Sequence, residues 1–267
     1  MLRDITLGQY YPSDSKVHHL DPRLKIILTL VYIVSLFFVK NYWGYVYCAV
    51  ILFLVIRISK VPALFVFKGI KALIVILIFT AVLNIFSYPD GTAIGHIGLF
   101  TITIEGIQNA VRMCVRLILL VSGASILTLT TSPIQLTDAI ERILNPFRKI
   151  GLPAREIAMM MSIALRFIPT LMDETDKIIK AQQARGADFE TGNIFQRAKS
   201  LVPILVPLFI SAFRRADELA MAMEARCYGI DIERTRMNEL RLKKIDYTAM
   251  GSMVLYAAIF VAVRIFV

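Results

Sequence analysis

LKIILTLVYIVSLFFV, from Leu24 to Val39, decides the class of this protein. The run holds one charge, Lys25 near its start, and is otherwise apolar on every side of the helix that it predicts. Such a segment needs hydrocarbon or a very large core around it. Lys40 and Asn41 then make a tight reversal into YWGYVYCAVILFLVI, Tyr42 to Ile56, which opens with an interfacial aromatic cluster around Trp43. Together the two segments predict a helical hairpin in a membrane. The whole composition agrees, with 57% hydrophobic and 19% charged residues and a mean hydropathy of +0.66, and excludes a water-soluble globule.

Outward from that hairpin, a third span is predicted from Gly69 to Phe86, a fourth from Glu105 to Thr130 and a fifth from Tyr247 to Val267. Arg57, Lys60, Lys68 and Lys71 lie between the second and third spans, whereas the loop from Ser87 to Thr103 carries no Lys or Arg. The positive-inside rule therefore places the N-terminus in the cytoplasm and the C-terminus outside. A polar stretch over residues 1–23 precedes the first apolar run, so no cleavable signal peptide is expected and the first helix itself directs insertion. The formal charge of +10 comes from Lys and Arg beside apolar segments, without basic tails or interleaved aromatics. That pattern fits anionic lipid headgroups and not nucleic acid.

Cys48 and Cys114 sit in apolar segments and Cys227 follows a polar helix, so all three cysteines are read as unpaired. His18, His19 and His96 are expected in loops, without metal-ligand spacing. Arg112 and Arg116, one turn apart on the fourth span, share a face with Glu105 and Asn109. Snorkelling, or a later start to the span, is the preferred reading of them over a functional polar contact.

From Ser132 the composition changes, with charges of both signs every few residues and shortened apolar runs. A short helix is predicted from Pro133 to Lys149 and long ones from Pro153 to Arg185 and from Phe195 to Arg226, with Gly186 and Gly229 just past the long helices' ends. Neither long helix reads as an ordinary span, because Arg166 interrupts one and LVPILVPLFISAF, Leu201 to Phe213, is too short. Both are expected to be interfacial or packed on other helices, and bent at Pro169, Pro203 and Pro207. The division is thus residues 1–131 for four spans, 132–245 for a cytoplasmic or interfacial module, and 246–267 for a last span packing with the first part.

The most specific internal signal is a repeat. KIIKAQQARG, Lys177 to Gly186, matches ELAMAMEARC, Glu218 to Cys227, and Asp176 and Asp217 precede Arg185 and Arg226 by the same interval. Ala181 and Ala184 correspond to Ala222 and Ala225, and alanines three apart lie on one face and leave a narrow tip. The guanidinium that follows can enter a groove and offer paired donors to a carboxylate. A lone arginine in a last helical turn can instead serve the free carbonyls and the macrodipole, so capping with lipid contact stands beside partner docking.

At Ala184-Arg185-Gly186 and Ala225-Arg226-Cys227 the chain resembles the transmembrane T component of energy-coupling factor transporters, of the shared, vitamin-transporting type, and the resemblance covers essentially the whole chain. It implies an all-α integral membrane protein of about five transmembrane helices with a cytoplasmic-side module of long amphipathic coupling helices. It also implies that the two motifs bind two ABC-type ATPase subunits, expected to be nonidentical, and that a separate, exchangeable S component captures the vitamin or metal. Cys227 departs mildly from the glycine or other small residue common there. The implied location is a bacterial cell membrane, multi-pass. The chain lacks a GxxxxGK[ST] loop, so ATP and magnesium are expected to be used by the ATPases and no cofactor by this chain.

Met159, Met160, Met161 and Met172 on one long helix, with Met221 and Met223 on the other, offer flexible, polarizable side chains that suit changing partners such as S components, although core filling is the stronger reading. Two other functions remain open on the residues alone. Asp173, Glu174 and Asp176 with Asp217 and Glu218 could serve as magnesium sites for a membrane-embedded prenyl-diphosphate transferase, although charged faces near a membrane are commonly solvated or paired, here with Lys177, Lys180, Arg214 and Arg215. A membrane scaffold without transport is the other.

Overall fold

The computed structural model of the chain describes residues 10–39, 41–86, 93–97, 100–151, 153–187, 189, 193–228 and 242–266. They fall into two compact units, one within residues 10–151 and 242–266, the other within residues 153–228.

In the first unit α1 (Pro22–Phe38) and α2 (Tyr42–Ser59) form the expected hairpin. Asp21 caps α1, its carboxylate accepting the Arg23 N–H at 2.9 Å, and Pro22 occupies the first turn, where its missing donor costs nothing. The third expected span is broken into α3 (Ala63–Lys71) and α4 (Ile74–Phe86), bent by 59°. Lys68 and Lys71 crowd the last turn of α3, so the apolar stretch that can enter hydrocarbon begins only at α4. α5 (Ile104–Thr130) and α9 (Lys244–Phe266) match the fourth and fifth expected spans to within a few residues. By length and apolar composition α2, α5 and α9 each suffice to cross a membrane, and the bent α3–α4 pair makes a fourth. Counting about five includes α1, whose 17 residues rise about 26 Å, slightly less than the hydrocarbon core.

Part of the expected loop is ordered differently. Strands β1 (Ala93–Ile97) and β2 (Phe100–Thr103) pair antiparallel, which moves His96 from a loop into a strand; the rest of that loop lies outside the described residues. Thr103 ends β2 and caps α5 by accepting the Gly106 N–H, so the hairpin feeds directly into the helix.

α5 is the hub, touching α1, α2, α3 and α4. Gly123 makes the closest approach possible: a β-carbon there would stand 2.6 Å from the Tyr32 ring of α1. Leu36, Cys48, Leu52, Leu119, Ile126 and Phe260 form the core between α1, α2, α5 and α9. Several polar groups within it are paired across helices: the Ser35 and Tyr256 hydroxyls meet at 2.5 Å, and the Tyr47 hydroxyl donates to the Tyr256 carbonyl at 3.2 Å. Arg116 also meets protein: its guanidinium donates to the Tyr45 hydroxyl at 2.8 and 3.2 Å and to the Val39 carbonyl at 3.4 Å, both beside the α1–α2 turn. Arg112 donates to Asn109 on its own helix.

α6 (Pro133–Leu144) starts with a capping box in which Ser132 and Gln135 satisfy each other's backbone N–H groups, continues as a 3-10 turn (Asn145–Ile150), and packs on α1. α6 and its 3-10 turn thus belong to the first unit.

The second unit is built on α7 (Ala154–Ala184) and α8 (Ile194–Ala225). α7 runs on through Pro169, and α8 through Pro203 and Pro207, without ending. Their contacts run in opposite senses along the chain. Gln182 donates to the Pro203 carbonyl at 3.5 Å, Glu174 meets Ser211 and Arg215, and Met159 meets Tyr228. The pair is antiparallel.

Candidate partner-docking site

Antiparallel packing sends the C-terminal ends of α7 and α8 in opposite directions, so the repeated motifs occupy the two ends of the pair. Glu174 precedes Arg185 by eleven residues, and Arg215 precedes Arg226 by eleven. These two equivalent positions meet: a guanidinium nitrogen of Arg215 lies 3.0 Å from a Glu174 carboxylate oxygen. The two copies of the repeat therefore cross, antiparallel, near these equivalent positions. Each arginine tip then lies about 16 Å along its helix from the crossing.

The two ends are also built alike. The Gly186 N–H donates to the Gln183 carbonyl at 2.9 Å and the Ala187 N–H to Gln182 at 3.0 Å. On α8 the Cys227 N–H donates to Glu224 at 2.8 Å and the Tyr228 N–H to Met223 at 2.9 Å. Both are Schellman caps, with Arg185 and Arg226 as the last half-helical residues and Gly186 (φ +86°) and Cys227 (φ +57°) in the left-handed position that follows. The glycine reported as common at the second motif thus has a conformational reason, and Cys227 meets the same requirement with a side chain.

These caps bear on the capping reading of the two arginines. Backbone N–H groups, not arginine, satisfy the carbonyls of Gln182, Gln183, Met223 and Glu224. Arg185 and Arg226 are exposed, and among the described residues neither side chain makes a hydrogen bond or an ion pair. Ala184, Gly186, Ala225 and Cys227 are exposed beside them, so each tip is a guanidinium flanked by small residues and open to a partner.

At the crossing the Ser211 hydroxyl donates to one Glu174 oxygen while Arg215 engages the other. These contacts, the Ser211 hydrogen bond foremost, hold the Glu174 carboxyl below its ordinary pKa. Both oxygens of this carboxylate are thus engaged within the helix pair. Among the described residues no group of three or more His, Cys, Asp or Glu gathers as a metal site.

The methionines divide. Met159 accepts a hydrogen bond from the Tyr228 hydroxyl, which ties the start of α7 to the residue just beyond the second cap. That contact places Met159, Met160 and Met161 at the same end of the pair as Met221 and Met223, with Met172 near the crossing. Met160, Met161 and Met221 are exposed, whereas Met159, Met172 and Met223 are half-buried. A larger surface lies on α8, where Leu201, Leu205, Phe209 and Phe213 recur every four residues beside Val202 and Val206, all exposed, Phe213 to 69%. The four-residue spacing inside LVPILVPLFISAF is the signal that marks this stripe; read only for its length, the segment looks like a failed span.

Comparison with known proteins places this geometry. The family model described as CbiQ, cobalt transport protein, matches residues 13–237. The energy-coupling factor transporter transmembrane protein EcfT of Ruminiclostridium cellulolyticum is 54% identical over 256 residues, 96% of either chain. The protein of the same name from Clostridium kluyveri is 56% identical over 250 residues, 93% of either chain, and that from Limosilactobacillus fermentum 44% identical over 261 residues, 98% of either. With apolar helices fit to cross a membrane and relatives alike from end to end, the chain belongs to the CbiQ/EcfT family, the transmembrane proteins of energy-coupling factor transporters.

Proposed function

We propose that this chain is the coupling subunit of an ATP-driven importer, and that Arg185 and Arg226 dock two ABC-type ATPase subunits, one at each end of the α7–α8 pair. Matched, exposed arginines on identically capped helix ends are the observation that carries the reading. In a cleft each guanidinium can bind a carboxylate through paired hydrogen bonds, and the alanines at 181, 184, 222 and 225 leave room for the walls. Two tips about 33 Å apart along one rigid pair suit two engines that close together on ATP.

Closure of the ATPases then moves both tips, and the helices pass the displacement to an S component that holds the vitamin or other micronutrient. The exposed methionines and the apolar stripe of α8 supply a surface that can repack against different S components. ATP and magnesium belong to the ATPases, and this chain is non-catalytic. In this reading residues 132–245 are the coupling module and residues 1–131 with 246–267 the membrane anchor; α6, though packed on α1, begins the module's run of charged residues. The site is the cytoplasmic face of a bacterial cell membrane, with the N-terminus on the same side.

Losing one partner of a desolvated charge pair costs about 2–5 kcal/mol. Arg185→Glu and Arg226→Glu are therefore expected to release one ATPase contact each and, together, to abolish ATP-driven uptake by reconstituted vesicles. Unequal effects of the single changes indicate nonidentical ATPases. Full uptake by the double variant refutes the proposal.

A further inference from the structure

Between α1, α2, α5 and α9 the membrane unit holds a cavity of about 490 Å³, in the size range of ligand sites. Its walls are apolar over most of their area, formed by residues such as Leu28, Leu52, Val55, Ile126 and Met253. Along α1 it reaches from Lys25 to Tyr32, and along α9 from Ile245 to Tyr256, a depth of about 10–16 Å. Leu54 and Ile58 belong to the same wall and are 48% and 51% exposed, so the cavity opens sideways on the outer surface of the bundle. At that depth the surrounding medium is hydrocarbon.

One end is cationic. Lys16 and Lys25 line it, and Arg23, Lys243 and Lys244 lie in the neighbouring segments. The nearby carboxylates are Asp21, one oxygen of which accepts the Arg23 N–H, and buried Asp246, which accepts the N–H groups of Asp21 at 2.8 Å and Lys243 at 2.6 Å; the cations of these segments outnumber them. Lys25 donates to the carbonyls of His18 at 3.0 Å and Thr130 at 2.9 Å. An ammonium group has three donors, so one remains. Lys16 is exposed.

A slot that is apolar in depth, open to the bilayer and positive at its headgroup end is complementary to one molecule of the membrane itself. We propose that this cavity holds an acyl chain of an anionic phospholipid, whose phosphate is bound by Lys16 and by the third donor of Lys25. The site is distinct from the arginine tips, and its occupancy does not depend on ATPase docking.

The test is native mass spectrometry of the full chain released from detergent, titrated with phosphatidylglycerol or phosphatidylcholine of the same chain length. One phosphatidylglycerol is expected to be retained, in preference to phosphatidylcholine by about tenfold. Ala249→Phe fills the cavity and is expected to remove that lipid; Ser252→Phe gives the same reading if the first variant misfolds. Lys16→Glu, on an exposed residue, leaves the fold intact and, as a change of two charges at roughly fivefold per unit near a headgroup, is expected to lower phosphatidylglycerol binding about 25-fold. Equal binding of both lipids, unchanged binding in the Lys16 variant or in a folded filled variant, or displacement by excess inorganic phosphate would each overturn the assignment.

Discussion

Replacing Gly186 with alanine isolates the backbone of the first arginine tip, because a β-carbon at this position meets no atom within 4 Å. The change adds no clash and removes no contact. What it does is place a side chain at φ +86°, where an L-residue costs about 1 kcal/mol or more. That energy acts on the cap, whose two bonds are donated by the N–H groups of Gly186 and Ala187. A loss of 1 kcal/mol is about fivefold in the local opening equilibrium. Hydrogen exchange at residues 186 and 187 is therefore expected to quicken about fivefold. Cys227→Gly is the mirror experiment, because Cys227 already bears the strain, at φ +57°. Exchange of the amides at 227 and 228 is expected to slow, by up to a similar factor. Effects of the same sign in the two variants, or none, would refute matched Schellman caps as the basis of the two tips.

Tyr45→Phe removes the hydroxyl that accepts two hydrogen bonds from Arg116 and is expected to destabilise the membrane unit by about 1.5–3 kcal/mol, read as a lower melting temperature in detergent. Exchanging the crossing pair, Glu174→Arg with Arg215→Glu, is expected to restore helix pairing that either single change weakens by about 0.5 kcal/mol, measured as a double-mutant cycle on local opening. His18, whose imidazole is held below its ordinary pKa chiefly by burial, favours the folded state as a neutral ring. Docking of the segment at residues 11–20 is therefore complete above about pH 6.5 and weakens as the pH falls through the lowered value, because the undocked form then binds the extra proton; exchange at the Tyr11 amide, which donates to the Leu129 carbonyl, reports it.

Much of this molecule can be read from its residues because hydrocarbon allows few solutions. The spans at Tyr42, Glu105 and Tyr247 and the ends of both long helices follow from apolar run length and from residues such as Gly186, and the structure places them within a few positions. The break between Lys71 and Ile74 was harder to see, since two lysines and a glycine in one turn are compatible with a span that begins slightly late. The β1–β2 hairpin did carry a signal, in the β-branched alternation of Thr101, Ile102 and Thr103, but too short a one to stand against a loop. Arg116 finds its acceptor 71 residues away, on Tyr45, and no local pattern encodes that distance. Both arginine tips are legible from the repeat alone. Their relation is not: it emerges only when the repeat is extended back to Glu174 and Arg215, whose contact fixes the direction of each tip.

The most direct test is co-purification of the Arg185→Glu/Arg226→Glu double variant with its ATPase subunits from the native membrane. Loss of both ATPases, with the membrane unit still folded and inserted, is the expected result. Recovery of both at the unmodified chain's yield would contradict docking through these two residues.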